Sequence, residues 1–215
     1  MLKTYDYPEF AFHQSADQKS GAVKRHPVVI AGGGPVGLSA AIDLAVQGLA
    51  VVVLDEDKTV SIGSRAVCYA KRALEIWDRL GCAGPMVDKG VIWKTGKLFR
   101  RDREIYQFDL LPEAGHKIPA FINLQQYYLE EFLVRRAEAL GVDIRWREKV
   151  TGVEPKDDNV RLTVETPQGS YALEADWLIA ADGARSFTRR ALGLEFKGQA
   201  FNDRFLIADV VMKAD

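Results

Sequence analysis

Hydrophobic positions along this chain change rhythm several times, and each change falls near glycine or proline. After His26 and Pro27, Val28, Val29, Ile30 and Ala31 form an unbroken apolar run, the pattern of a strand buried on both faces in a parallel sheet. Gly32, Gly33 and Gly34 break it. Pro35 suits the first turn of a helix, and Leu38, Ala41, Ile42 and Ala45 then recur at helical spacing until Gly48. Ala50 to Leu54 make a second apolar run, stopped by Asp55, Glu56, Asp57 and Lys58. Strand, helix and strand in this order predict a βαβ unit with parallel strands.

Downstream, the spacing predicts a helix over 65–80, with Ala73, Leu74, Trp77 and Leu80 on one face and Gly81 at its end. Residues 91–109 are strand-like but irregular. Asn123 is the expected cap of a strong helix that carries Leu129, Phe132, Leu133, Ala137 and Leu140 and closes at Gly141. Val142 to Arg147 and a polar meander follow. VRLTVET (160–166) alternates, PQGS turns and YALEA returns, which predicts a hairpin. DWLIAADG (176–183) reads as another buried strand with a glycine turn, and RFLIADVVM (204–212) as a last strand. The expected architecture is a three-layer α/β domain with strands 27–31, 50–54 and 176–181 in one parallel sheet. The hairpin of 160–173 is expected to sit apart from it as a β-meander. Residues 1–26 are mostly polar and read as a loosely ordered N-terminal arm.

Composition narrows the function. With 47% hydrophobic and 27% charged residues the 215-residue chain is globular in type. A net charge of −1 argues against nucleic-acid binding, which calls for a basic excess. Cys68 and Cys82 form neither a disulfide framework nor a zinc pattern, and His13, His26 and His116 are scattered, so no metal site is expected. No apolar run approaches the ~20 residues of a membrane span, and no signal peptide is visible. A reducing cytoplasm fits this pattern.

The chemistry concentrates at Gly32-Gly33-Gly34-Pro35-Val36-Gly37, a G-x-G-x-x-G sequence. Its context is what gives it weight: it follows a buried strand, opens a helix, and is answered by Asp55, with Glu56 beside it, at the end of the next strand. Gly32 permits the tight turn, Gly34 lets backbone approach a pyrophosphate, and Gly37 brings helix close to strand. Pro35 and Val36 begin the helix whose N–H groups and dipole hold phosphates. Asp55 would accept hydrogen bonds from a ribose diol and repel a 2′-phosphate. NAD or FAD is therefore the expected ligand. In the first turn of the predicted 65–80 helix, Arg65 opposes the helix dipole, so an anion nearby is expected. Gln126, three residues after Asn123, suits either a capping box or a ligand contact. Asp182 and Gly183 end a strand and are followed by Arg185, Ser186 and Arg189.

Taken together, these segments resemble the N-terminal part of the FAD-dependent aromatic hydroxylases, the single-component flavoprotein monooxygenases of the para-hydroxybenzoate hydroxylase type, and most of all the 3-(3-hydroxyphenyl)propionate hydroxylase-like branch. AGGGPVGLSAAIDLA matches the dinucleotide fingerprint, GSRA the arginine segment beside the flavin, and Gln126 in QQYYLEEFL the flavin-contacting glutamine. DGARSFTR matches the D-G-x-x-S-x-x-R motif. The resemblance implies a Rossmann-like FAD-binding domain of the GR2 type, with parallel sheet, helices and β-meander. It places Asp55 on the FAD ribose, Arg65 along the phosphate and ribityl side, and Asp182, Gly183 and Arg189 around the pyrophosphate. It further implies reduction by NADH or NADPH, addition of O2 to give a flavin hydroperoxide, and hydroxylation of a small phenolic substrate. Partners beyond the substrate and O2 are not implied, although a homodimer is allowed.

The family's second flavin motif, centred on Gly-Asp, has no counterpart in these residues. The expected division is an arm (1–26), an FAD-binding domain (27–200) and the start of a truncated substrate-binding domain (201–215). On that reading the chain alone would not turn over, and no catalytic residue is assigned. Two other readings stay open at this stage: an NAD-dependent dehydrogenase domain, which the first 57 residues would equally serve, and a non-catalytic FAD-binding fragment.

Overall fold

The apolar runs of the sequence become neighbours in space. In a computed structural model, which describes residues 5–63, 65–199 and 201–204, the chain runs α1 (Ala16–Ser20), β1 (Lys24–Ala31), α2 (Pro35–Val46), β2 (Val51–Asp55), β3 (Cys68–Ala70), α3 (Lys71–Arg79) and α4 (Ala83–Lys89). It continues through β4 (Val91–Trp93), β5 (Thr95–Arg100), β6 (Arg103–Asp109), β7 (Phe121–Asn123), α5 (Gln126–Ala139), β8 (Asp143–Trp146), β9 (Lys149–Pro155), β10 (Val160–Thr166), β11 (Gly169–Ala180) and α6 (Phe187–Ala191). The main sheet has the order β8-β2-β1-β11-β10-β9. Its first four strands are parallel, with Val28 opposite Val51 on one side and Trp177 on the other. In chain order these four strands read third, second, first, fourth, the arrangement of a Rossmann half.

Alternation along β1 and β2 sorts side chains onto two cores. Val28, Ile30, Val51 and Val53 face a layer made by Leu38, Ala41 and Ile42 of α2 and Leu129, Leu133 and Ala137 of α5, joined by Leu74 and Trp77 of α3. Val29, Val52 and Leu54 face the other way, onto Leu162, Val164, Leu173 and Ala175 of the antiparallel strands. These two cores separate three layers. A small antiparallel sheet (β3-β7-β4) and the β5–β6 ribbon complete the fold. Among the described residues no helix is long and apolar enough to cross a membrane.

Several expectations need correction. The hairpin does not stand apart from the parallel sheet: β11 is one continuous strand whose first half pairs with β10 and whose second half pairs with β1. The sheet curls, so that β9 comes back against β2. Nor is 176–181 a buried strand, since Trp177 is 73% exposed. The predicted 65–80 helix begins only at Lys71, because Cys68 to Ala70 pair as β3 with Phe121 to Asn123. For the same reason Asn123 is a strand residue and not a cap, its side chain accepting from Trp93 Nε1 at 2.9 Å, and α5 starts at Gln126 behind Gln125.

The polar N-terminal arm, expected to be loose, is packed from Tyr5 onward and contains α1, capped by Ser15. Within it Asp17 is buried and binds Arg145 at 2.8 Å and His26 at 2.7 Å. The strand expected over 204–212 lies, from residue 205 on, outside the described residues.

Candidate dinucleotide-binding site

Parallel strands deliver their C-terminal ends to one edge, and here the ends of β1, β2 and β11 meet. At β1 the chain turns through Gly32, whose φ of +106° favours glycine. The turn is tight against β11: a Cβ on Gly32 would stand 2.4 Å from the Ala181 carbonyl oxygen. Gly37 closes the other side, where a Cβ would meet Gly32 O at 1.9 Å. Between them a Cβ on Gly34 would meet nothing within 4 Å. Gly34 is also the N-cap of α2, and no side chain caps it. Pro35 follows at the start of the helix, and Val36 is 72% exposed there. The start of α2 thus offers open backbone N–H groups and a positive dipole end toward free space, the geometry that receives a phosphate.

At the end of β2, Asp55 turns back onto this loop. Its Oδ2 accepts from Gly33 N at 2.5 Å and its Oδ1 from Asp57 N at 2.8 Å. Burial raises the Asp55 pKa above the ordinary carboxylate range, and the two amide bonds oppose that rise only partly. A carboxylate so held keeps unused lone pairs and can accept further hydroxyl donors. Glu56 turns away and pairs with Lys149 at 2.6 Å, so the structure separates it from Asp55.

Gln126 lies at the first turn of α5. Its Oε1 accepts from Ala66 N at 3.3 Å, while its Nε2 donates to Ser61 Oγ at 3.1 Å and Glu130 Oε1 at 2.7 Å. The glutamine therefore ties the chain next to Arg65 to the segment that leaves β2. Arg65 itself is exposed, and it precedes β3 outside any helix. The dipole argument for an anion beside it therefore falls away. Glu130 is buried and receives Ser61 N and Ser61 Oγ, each at 2.6 Å. Sequence reasoning missed Ser61 and Glu130; the i, i+4 spacing of Gln126 and Glu130 on one helix face was the available signal.

Asp182 is used locally. Its Oδ1 accepts from Ser186 Oγ at 2.5 Å and its Oδ2 from Thr188 N at 2.8 Å, while Ser186 Oγ accepts from Arg189 N at 2.9 Å. Although burial pushes the Asp182 pKa upward, these donors outweigh it and hold the group below the ordinary value. Gly183 turns the chain at φ +74°. Arg189 donates to the Ala184 carbonyl at 3.2 Å and stacks over Phe196 at 5.1 Å.

The residues therefore fall into two groups. Gly32, Gly34, Pro35, Val36, Gly37, Asp55, Asp182 and Gly183 converge on the meeting point of three strand ends, and Gln126 draws the Arg65 segment to the loop beyond β2. The open cradle at Gly34 and the uncapped helix start fit a dinucleotide pyrophosphate, and the carboxylate of Asp55 fits its ribose.

Comparison with known proteins agrees. The FAD binding domain family matches residues 25–215, and the chain belongs to that family, the one found in FAD-dependent aromatic hydroxylases. It is 36% identical over 194 residues to 6-methylpretetramide 4-monooxygenase of Streptomyces rimosus, covering 87% of this chain and 34% of that protein. It is 32% identical over 187 residues to para-nitrophenol 4-monooxygenase of Pseudomonas sp. (strain WBC-3), covering 85% and 46%. The crystal structure of p-nitrophenol 4-monooxygenase from Pseudomonas putida DLL-E4 superimposes with a TM-score of 0.78 at 32% identity, over 84% of this chain and 46% of that one. The chain thus spans between a third and a half of the length of these relatives.

Proposed function

We propose that this chain forms the FAD-binding part of an NAD(P)H-dependent flavin monooxygenase that hydroxylates a small phenolic substrate with O2. One observation carries the reading: the ends of β1, β2 and β11 meet at an uncapped helix start, with Asp55 fastened to Gly33 beside it. In this reading residues 27–200 are the FAD-binding domain, and 201–215 lead into the substrate-binding domain.

Bound FAD would supply the redox chemistry of hydride acceptance from NADH or NADPH and O2 activation. The chain's own part is to bind and orient. Backbone N–H groups of Gly34, Val36 and Gly37 receive the pyrophosphate, and Asp55 accepts from the ribose hydroxyls. Arg65, which lies in the match to the family's arginine segment and whose neighbour Ala66 is bonded to Gln126, supplies a cation to the phosphate side. Asp182, Gly183 and Arg189 shape the turn that borders the same phosphates. Both cysteines of the chain are free, which accords with a reducing cytoplasm.

Titration of the purified chain with FAD, followed by quenching of flavin fluorescence, tests this. Saturable binding that Asp55→Ala weakens supports the reading. Binding of NAD in place of FAD would transfer the domain to the dehydrogenases. Oxidation of NADH or NADPH, measured across a panel of phenols on the full-length enzyme, tests the remaining chemistry.

A further inference from the structure

The family match begins at residue 25, yet the residues before β1 are fastened down along their length. Tyr5 stacks on Tyr127 of α5 with ring centroids 4.2 Å apart, and its hydroxyl donates to Glu131 Oε2 at 2.7 Å. At the other end Asp17 is bound to Arg145 of β8 at 2.8 Å, and Gln18 donates to Thr166 of β10 at 3.0 Å. Between these anchors the segment passes over loop 56–63, which leaves β2 directly after Asp55. It grips the loop three times. Phe10 N donates to the Lys58 carbonyl at 2.7 Å, Glu9 pairs with Lys58 at 2.7 Å, and the Tyr7 hydroxyl accepts from Gly63 N at 3.2 Å. Phe10 is itself fixed by stacking on Trp146, at 4.1 Å and 10° between planes.

The chemistry of these grips is uneven. Glu9 and Lys58 are both well exposed, so their pairing adds little. The backbone bond from Phe10 and the stacking of its ring on a β8 side chain are the stronger pair of constraints. Loop 56–63 is also held by α5, through Glu130 on Ser61. It is thus tied to both α5 and the N-terminal segment, and its first residues continue the backbone of Asp55, whose Oδ1 accepts from Asp57 N within the same turn.

We propose that residues 5–20 are a strap whose task is to fix loop 56–63 and, through it, the Asp55 carboxylate that takes the cofactor ribose. Tyr7 and Phe10 are then positioning residues for dinucleotide binding. This rests on the FAD reading above. The plain competing role is structural: the segment covers the open edge of β8 and shields it from pairing with another chain.

The two roles separate in the full 215-residue chain. Hydrogen exchange of amides 56–63 is measured without ligand, and FAD affinity by fluorescence quenching well below the melting temperature. Under the proposal Phe10→Ala speeds exchange in the loop by about tenfold, the signature of local opening. It also weakens FAD by about tenfold. Tyr7→Phe, which keeps the ring and loses the hydroxyl acceptor, moves both in the same direction by about twofold to threefold, near the low end for one exposed hydrogen bond. Lys97→Ala, which loses only an exposed pair with Glu104 on the β5–β6 ribbon, leaves both unchanged. A fall in melting temperature with unchanged loop exchange and unchanged FAD affinity in both Phe10→Ala and Tyr7→Phe would overturn the strap and leave an edge cover. If Phe10→Ala does not fold, Tyr7→Phe decides alone. If the wild-type chain fails to take FAD, the functional reading falls, and unchanged loop exchange in the variants would still overturn the strap independently.

Discussion

Two glycine turns stand side by side at the ends of β1 and β11, and they are built on opposite principles. At Gly32–Gly37 the acid comes from another strand: Asp55 reaches Gly33 from 22 positions away, and Gly32 and Gly37 are pressed against neighbouring backbone. At Asp182–Gly183 the acid serves its own turn, with partners four and six positions along the chain, and a Cβ on Gly183 would meet nothing within 4 Å. The first turn is fixed by tertiary packing and keeps open helix N–H groups. The second is fixed by local capping and has its carboxylate oxygens already engaged. A glycine turn with an acid partner can therefore stand for a site that is still open to a ligand or for one that is closed on itself.

Substituting the glycines should separate the turns most widely. Gly37→Ala places a methyl group 1.9 Å from Gly32 O, and backbone cannot yield as a side chain can. A loss of about 3 kcal/mol is expected from overpacking, read as the urea midpoint. Gly183→Ala meets only the cost of a left-handed φ of +74°, about 1–2 kcal/mol. Equal losses at the two positions would erase the distinction.

Loss of the acids sharpens it further. Asp55→Ala should weaken FAD by about 1–3 kcal/mol, the range for losing a charge-assisted partner, as seen by fluorescence titration. Asp182→Ala should instead lower the stability of the ligand-free chain by about 1–2 kcal/mol, the cost of an N-terminal cap and its support. Its effect on FAD affinity should be smaller than that of Asp55→Ala. An Asp182 variant that binds FAD more weakly than the Asp55 variant would make the second turn the principal ligand contact.

The smallest effect lies in pH. The Asp182 carboxyl sits below its ordinary value of 3.8 because Ser186 and Thr188 donate to it despite burial. Its stabilisation is therefore present above that value and lost as pH falls through the folded pKa. Asp55 sits above 3.8 because burial disfavours its charge. Its contribution is most favourable below that value and declines as pH rises through the folded pKa. In urea unfolding between about pH 3 and pH 7, the stability of wild type relative to Asp182→Asn should rise with pH, and relative to Asp55→Asn should fall. Slopes of the same sign would show that the two acids share one kind of environment.

The sequence alone determined the parts that depend on periodicity and backbone sterics. Continuous apolar runs at 28–31 and 51–54, a glycine-rich turn and a helical stripe can hardly form anything but a βαβ unit, and the motif order identified the flavoprotein family. It did not determine which strands would join elsewhere. Residues 68–70 leave helix for strand because Phe121–Asn123 offers a hydrogen-bonding edge, and 169–180 runs as one strand because β1 extends beside it from Lys24. Those choices are made by partners more than 50 positions distant for β3 and more than 100 for β1, and no local propensity encodes them. The same holds for side-chain roles. Which oxygen of Asp55 meets Gly33, how Gln126 bridges Ala66 to Glu130, and how a polar arm comes to bury Asp17 against Arg145 were decided only when tertiary packing brought donors to acceptors, because a buried polar group must find its partner wherever the fold supplies one.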